Sequence, residues 1–320
     1  MRNTLYIVVP AFNEEACIEE CAAQLAKKLE DLQGKSLCSE KSRILFVDDG
    51  SRDRTPELLQ KLYEADERIG YLSLSANCGH QNALLAGMLY AKDYADCVIT
   101  IDADLQQDMN AMDEFLRKYA EGVDIVYGVR SSRDTDGFLK KLTAGAFYSL
   151  MQMFGADVIR NHADYRLLSK RVLMALDEHT EVNLFLRGLI RTLGFRSCTV
   201  EFEVSPRFAG ESKYSPAKMI RLAVDGITSF STRPLRLITM LGLLCVLVCI
   251  VFAIYDVVVF IQGKTVPGWT SMMLSMWLLA GMVLISLGCV GEYVGRIYME
   301  TKRRPRYFVA EACHHPAEKE

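Results

Sequence analysis

None of the 21 glycines in this 320-residue chain is followed two positions later by another. The glycine turn that cradles a dinucleotide is therefore missing. Two further fingerprints fail at single positions. Gly263-Lys264-Thr265 imitates the end of a P-loop, but Val258 stands where its first glycine belongs; in Gly210–Tyr214, Tyr214 replaces the second glycine of a nucleophile elbow. Charge of one sign is scarce: 37 Lys and Arg against 40 Asp and Glu leave a net −3. Without long basic runs, nucleic acid is excluded as the main partner. The ten cysteines form neither C-x-x-C pairs nor zinc spacings, so reduced, cytosol-facing thiols are expected. Cys17 and Cys21, four apart on a helical pattern, read as small buried hydrophobes, and Cys313-His314-His315 as a frayed polar terminus. No charged-then-apolar leader opens the chain. Thr4–Pro10 reads as a strand, and no signal peptide is expected.

Apolar residues, by contrast, are abundant: half of the chain is hydrophobic and the mean hydropathy is +0.10. The excess sits in two runs. From Leu237 to Phe260 the only charge is Asp256, and Trp269 to Val290 has none. Each exceeds the roughly 20 residues a helix needs to cross a bilayer, which excludes a freely soluble protein. Arg233 and Arg236 precede the first run, Arg296, Lys302, Arg303, Arg304 and Arg306 follow the second, and only Lys264 lies between. The positive-inside rule places both termini in the cytoplasm. Asp256 falls about 28 Å along the first run at helical rise, a snorkelling position near the far interface.

Residues 1–135 alternate short β-branched runs with amphipathic stretches. Leu5–Val9, Ile44–Val47, Tyr71–Leu74, Val98–Asp102 and Ile125–Tyr127 read as buried strands. Ile18, Cys21, Leu25 and Leu29 recur at helical spacing, and Thr55-Pro56 reads as a helix start. The expected class is α/β: a mostly parallel sheet with helices on both faces, binding ligands beyond the carboxyl ends of its strands. Residues 136–234 read as an acceptor-side and membrane-interface region. It carries basic amphipathic helices at 138–154 and 215–231, the second suited to a membrane surface. Two transmembrane helices (235–300) and a cytoplasmic tail (301–320) complete the expected order.

Acidic groups gather at the expected strand ends. Val9–Glu15 offers a polar turn after the first strand. Asp48-Asp49-Gly50-Ser51 puts two acids on a glycine turn after the second, and either can accept from a nucleobase N–H. Asp102-Ala103-Asp104-Leu105-Gln106 follows the fourth. If this segment is extended, Asp102, Asp104 and Gln106 face one way and present three oxygens to a hard cation, Mg²⁺ or Mn²⁺. Arg130, Arg133, Arg207 and Lys213 supply charge suited to phosphates, and His162–Arg166 sets Asp164 two residues from Arg166.

Taken in order before two apolar runs, Pro10–Glu15, Asp48–Ser51, Asp102–Gln106, His162–Leu167 and Arg207–Tyr214 resemble the polyisoprenyl-phosphate glycosyltransferases of glycosyltransferase family 2. These include bactoprenol glucosyltransferases and, more distantly, dolichyl-phosphate mannose synthases. Glu181–Gly188 and Asp225–Arg236 extend the similarity to the bacterial branch. The resemblance implies a GT-A-type fold and transfer of a hexose, glucose first, from a UDP-sugar to undecaprenyl or another polyisoprenyl phosphate. It further implies a metal-dependent, inverting enzyme, homo-oligomeric, in a bacterial inner membrane. Pro10, Phe12, Asn13, Glu15 and Asp49 would hold the uridine part and Asp102 the nucleotide. Asp104 and Gln106, with Asp102, would hold the metal, and Arg130, Arg133, Arg207 and Lys213 would lie along the phosphates. Asp164 would be the candidate catalytic base, beside Arg166, with orientation of Arg166 or of the lipid phosphate as its alternative role. The chain departs from the family at Ala76, where many relatives carry arginine, and at Gln107–Asn110, where a proline-containing continuation is usual.

N-acetylglucosamine from its UDP-sugar and mannose from GDP-mannose stand as alternative donors. A processive synthase is excluded because neither Trp269 nor Trp277 follows an arginine, as its Q-x-x-R-W motif requires. A catalytically inactive scaffold or flippase partner would not need Asp102, Asp104, Gln106 and Asp164 all intact.

Overall fold

The computed structural model describes residues 2–131, 162–179, 181, 186–204 and 268–315, with isolated helical positions between 238 and 254. Its centre is one eight-stranded sheet. β1 (Leu5–Ala11), β2 (Arg43–Asp48), β3 (Ile69–Leu74) and β4 (Cys97–Thr100) run parallel, in the spatial order β4-β1-β2-β3. They are followed by α1 (Ile18–Gly34), α2 (Thr55–Ala65), α3 (His80–Ala91) and α4 (Ala111–Ala120). Alternation along β1 shows why these strands are apolar throughout. Leu5, Ile7 and Val9 pack with residues of α1, α2 and α4, whereas Tyr6 and Val8 pack with those of α3. A strand covered on both faces has no polar side to display.

The sheet is mixed: six of its eight strands run the same way, as a mostly parallel sheet requires, and two run against them. β6 (His162–Ser169) slots antiparallel between β4 and β5 (Ile125–Arg130), and β7 (Ser197–Phe202) lies parallel outside β5. The core therefore draws on chain well beyond residue 135. α5 (Lys170–Asp177) and α6 (Leu186–Thr192) follow β6 and join the apolar cluster under α3.

At the other edge the fraying expected of Cys313-His314-His315 is corrected. Residues Val309–Cys313 form β8, antiparallel to β3, satisfying backbone groups that an edge strand would leave open. His314 then wedges against Tyr90 and Tyr94, with ring centroids 5.1 and 4.5 Å away, and its Nδ1 lies 2.6 Å from the Tyr90 hydroxyl. His315 stacks on Tyr63 at 4.4 Å. Gly70 permits the approach: a Cβ there would stand 2.8 Å from His314 Cβ and 3.0 Å from the Cys313 carbonyl oxygen.

Before the tail comes α7 (Trp269–Lys302), 34 residues long. At helical rise it measures about 51 Å, longer than the ~30 Å hydrocarbon core. The span expected at 269–290 lies inside it. Within Leu278–Lys302 the most apolar 18-residue window has a mean hydropathy of 1.7, and no part of that window is buried. It is the one helix among the described residues long and apolar enough to cross a membrane. Of the first expected span, the described positions are helical and, apart from half-buried Ile238, exposed, Met240 by 70%. The segments 138–154 and 215–231 lie outside the described residues.

Candidate active site

β1, β2 and β4 end on one side of the sheet, and β6, running the other way, starts there. Asp48 and Asp49 close β2, Asp102 lies two residues past β4, and Asp164 enters at the amino end of β6. Thr100 Oγ1 donates to the Asp164 carbonyl at 2.6 Å, joining the two strand ends. Asp164 and Arg166, two apart on a strand, share a face and form a buried ion pair.

Two basic side chains approach Asp164 from other elements. Arg187 on α6 donates from Nε to Oδ1 at 3.2 Å and from Nη2 to Oδ2 at 2.8 Å. His80, the first residue of α3, holds Nε2 3.6 Å from Asp164 Oδ2 and 3.6 Å from Asp102 Oδ1. Side-chain exposure rises from 1% at Arg166 through 10% at Asp164 and 30% at Arg187 to 46% at His80, a path from core to surface. Burial alone would raise the Asp164 pKa, but Arg187 and Arg166 outweigh it and hold the carboxyl well below the usual range. For His80 burial acts downward. The hydrogen bond to Asp164 and the charges of Asp102 and Asp164 overcome it, leaving the imidazole above its ordinary value.

His80 is aimed by the turn before it. Asp49 Oδ1 accepts the Cys78 N–H at 2.7 Å and Oδ2 the Gly79 N–H at 2.9 Å, with Gly79 at φ +90°. Gly50, at φ +67°, leaves no room for a side chain: a Cβ would lie 2.7 Å from Ala76 C and 2.8 Å from Asn77 N. Gly87 draws α3 onto the sheet, since a Cβ there would meet Val8 at 2.5 Å and Val47 at 2.7 Å. Gln81 Oε1 accepts the Leu186 N–H at 2.8 Å and so ties α3 to the start of α6. Asp49 thus anchors the 76–79 loop with both oxygens. Burial lifts its pKa against the pull of those two N–H groups.

The turns after β1 and β2 form a single platform. Pro10 lies in β1 opposite Val47, and Phe12 is half-buried. Asn13 Oδ1 accepts the Arg52 N–H at 2.9 Å, and Glu15 Oε2 accepts the Arg54 N–H at 3.1 Å. Both residues are exposed at the rim. Arg130 ends β5, exposed on the same side of the sheet. Arg133, Arg207 and Lys213 lie outside the described residues.

The extended alternation expected for Asp102, Asp104 and Gln106 is corrected. β4 stops at Thr100, and residues 102–106 form a turn with Leu105 at φ +58°. Asp104 Oδ1 accepts the Gln106 N–H at 3.2 Å, the local side-chain bond with which aspartate turns a chain. Among the described residues no cluster of three His, Cys, Asp or Glu has the geometry of a metal site. Asp102 nonetheless keeps one carboxylate oxygen, Oδ1, buried and without a hydrogen-bond partner. Burial raises its pKa, His80 partly offsets this, and Asp164 and Asp104 push it further up. An orphaned carboxylate oxygen repelled by two more acids fits a divalent cation whose other ligands come from phosphate oxygens and water.

Sequence reasoning gave no role to His80, Gln107 or Arg187. The first was findable, since it opens the helix after β3 at the binding end of the sheet. The other two lie in segments noted only for family likeness, Arg187 in Glu181–Gly188 and Gln107 at the start of Gln107–Asn110, and nothing in either segment points to its partner.

A glycosyltransferase family 2 profile matches residues 6–176, and a profile for the GtrB C-terminal hairpin matches residues 233–297. The "Uncharacterized glycosyltransferase YkoT" of Bacillus subtilis is 47% identical over 95% of this chain and 90% of its own. The "Uncharacterized glycosyltransferase sll0501" of Synechocystis is 38% identical over 97% of this chain and 96% of its own. The "Bactoprenol glucosyl transferase" of Shigella phage SfX is 38% identical over 95% of this chain and 97% of its own.

Proposed function

This chain belongs to glycosyltransferase family 2, and we propose that it transfers glucose from UDP-glucose to a polyisoprenyl phosphate at the cytoplasmic face of a bacterial inner membrane. The observation carrying the reading is similarity along nearly the whole chain, hairpin region included, to proteins named bactoprenol glucosyl transferase. The exposed apolar helix α7 supports a lipid-borne acceptor. In the proposed topology it pairs with a first span at 237–260, leaving the sheet and both termini in the cytoplasm.

In this reading an acceptor phosphate oxygen attacks C1 of the sugar. The C1–O bond to UDP breaks with its electron pair leaving on the diphosphate, and the anomeric centre inverts. Asp102 and Asp104, with Gln106, would hold Mg²⁺ or Mn²⁺, which supplies Lewis-acid neutralisation of the departing diphosphate when bound. Asn13, Glu15 and the Asp49 turn line the nucleoside end. Arg130, Arg133, Arg207 and Lys213 are assigned to the phosphates. Of the two roles expected for Asp164, the assignment takes the positioning one over the proton acceptor. Its carboxylate is committed to Arg166 and Arg187, and a phosphate monoester with a second pKa of about 6 is already mostly dianionic near neutral pH. Holding two anions against each other is then the main task, met by fixed cations.

The test is incubation of membranes carrying the protein with radiolabelled UDP-glucose, UDP-N-acetylglucosamine and GDP-mannose, followed by organic extraction. Label from UDP-glucose in the lipid fraction is expected. Lipid label from another donor alone overturns the sugar assignment, and label from none overturns the reaction.

A further inference from the structure

Gln107 lies where the turn after Asp102 departs from the continuation usual in the family. Its side chain is 4% exposed and closes on Asp102 twice. Oε1 accepts the Asp102 N–H at 3.0 Å, and Nε2 donates to Asp102 Oδ2 at 2.6 Å. The backbone of Gln107 is itself held by an antiparallel bridge to Val204, just beyond β7. The clamp is thus anchored on the segment that follows β7, outside the turn it closes.

The two oxygens of Asp102 are consequently unequal. Oδ2 is occupied by an amide donor, whereas Oδ1 is buried, has no hydrogen-bond partner and lies 3.6 Å from His80 Nε2. A carboxylate free to rotate could offer both oxygens to a ligand or turn one fully onto His80. The amide restrains both: it takes one lone pair of Oδ2, and the bond from the Asp102 N–H to Oε1 holds the amide in place to keep the carboxylate plane.

We propose that Gln107 is a positioning residue that makes Asp102 a one-oxygen ligand, aiming Oδ1 at a divalent cation bound with the donor diphosphate. The proposal rests on the assignment of Asp102 to that cation. An apolar residue at 107 would leave Oδ2 desolvated and the carboxylate unfixed. Partners of this kind, one step removed from the cation, change metal affinity by about 10–100-fold when removed.

The experiment measures Mn²⁺ binding by electron paramagnetic resonance, using the full chain in detergent with UDP present and neither sugar nor lipid acceptor. Gln107→Met keeps the volume and loses both bonds. Gln107→Glu keeps the acceptor for the Asp102 N–H and replaces the donor to Oδ2 by a like charge. Thermal melting establishes that each variant is folded, and the isosteric Gln107→Glu carries the test if Gln107→Met is not. Both variants are expected to bind Mn²⁺ about 10–100-fold more weakly than wild type, with metal-free UDP binding unchanged. Affinity within twofold of wild type in either folded variant overturns the positioning role and leaves the cation assignment standing. Absence of Mn²⁺ binding by the wild type overturns both.

Discussion

Arg187 grips Asp164 with two nitrogens, Nε at 3.2 Å from Oδ1 and Nη2 at 2.8 Å from Oδ2, across 23 residues of sequence. A carboxylate held in this way, with Arg166 behind it, is a poor proton acceptor and a good orienting group. Asp164→Asn should therefore lower transfer by about 10²-fold through misplacement, and by the same factor at pH 6 and pH 8. A defect at pH 6 that recovers at pH 8 would restore the base.

The same pair links Asp164 to stability. Its folded pKa is depressed, so its charge stabilises the native state above the unfolded value of about 3.9 and that contribution is lost as pH falls through the native pKa. The melting-temperature gap between wild type and Asp164→Asn should be widest at neutral pH and close in acid. A gap that widens on acidification contradicts the ion-pair account.

Chelation tests the other carboxylates. EDTA should abolish transfer and Mg²⁺ or Mn²⁺ restore it, while Asp104→Ala loses most activity with an unchanged melt. Full activity of folded Asp104→Ala in chelator rules out a role for Asp104 at the cation.

Gly50→Ala probes the loop that presents His80. A left-handed φ and a Cβ 2.7 Å from backbone should cost about 1–3 kcal/mol. The 76–79 loop should shift, weakening UDP binding. Unchanged UDP affinity and stability would contradict the tight approach of the two turns.

Gly70→Ala probes the tail. The new methyl falls against His314 and the Cys313 carbonyl, and overpacking of this kind costs about 1–3 kcal/mol. Hydrogen exchange at residues 309–313 should accelerate while the central strands stay protected. Unchanged protection of the tail would show that β8 tolerates the methyl.

The parallel half of the fold was legible because strands buried on both faces must be apolar runs, as Leu5–Ala11 and Arg43–Asp48 largely are. β6 was harder to see. Asp164 and Arg166 break its apolar pattern, and its charge balance exists only once Arg187 arrives from α6. β8 was illegible for a different reason. Val309–Cys313 is exposed on most of its length, and its partner, the open edge of β3, is a property of the assembled sheet. At the site, the acids were found by position after strand ends. The Asp102–Gln106 geometry was misread because spacing alone cannot distinguish an extended segment from a turn closed by Asp104 and Gln107.

The most direct measurement is product analysis with the purified protein in bilayer nanodiscs, UDP-glucose, Mg²⁺ and a defined polyisoprenyl phosphate. Mass spectrometry of the lipid and quantification of UDP should show one hexose added per lipid phosphate, with UDP released in equal amount. UDP release with free glucose and unmodified lipid, or a growing polysaccharide, would contradict the account.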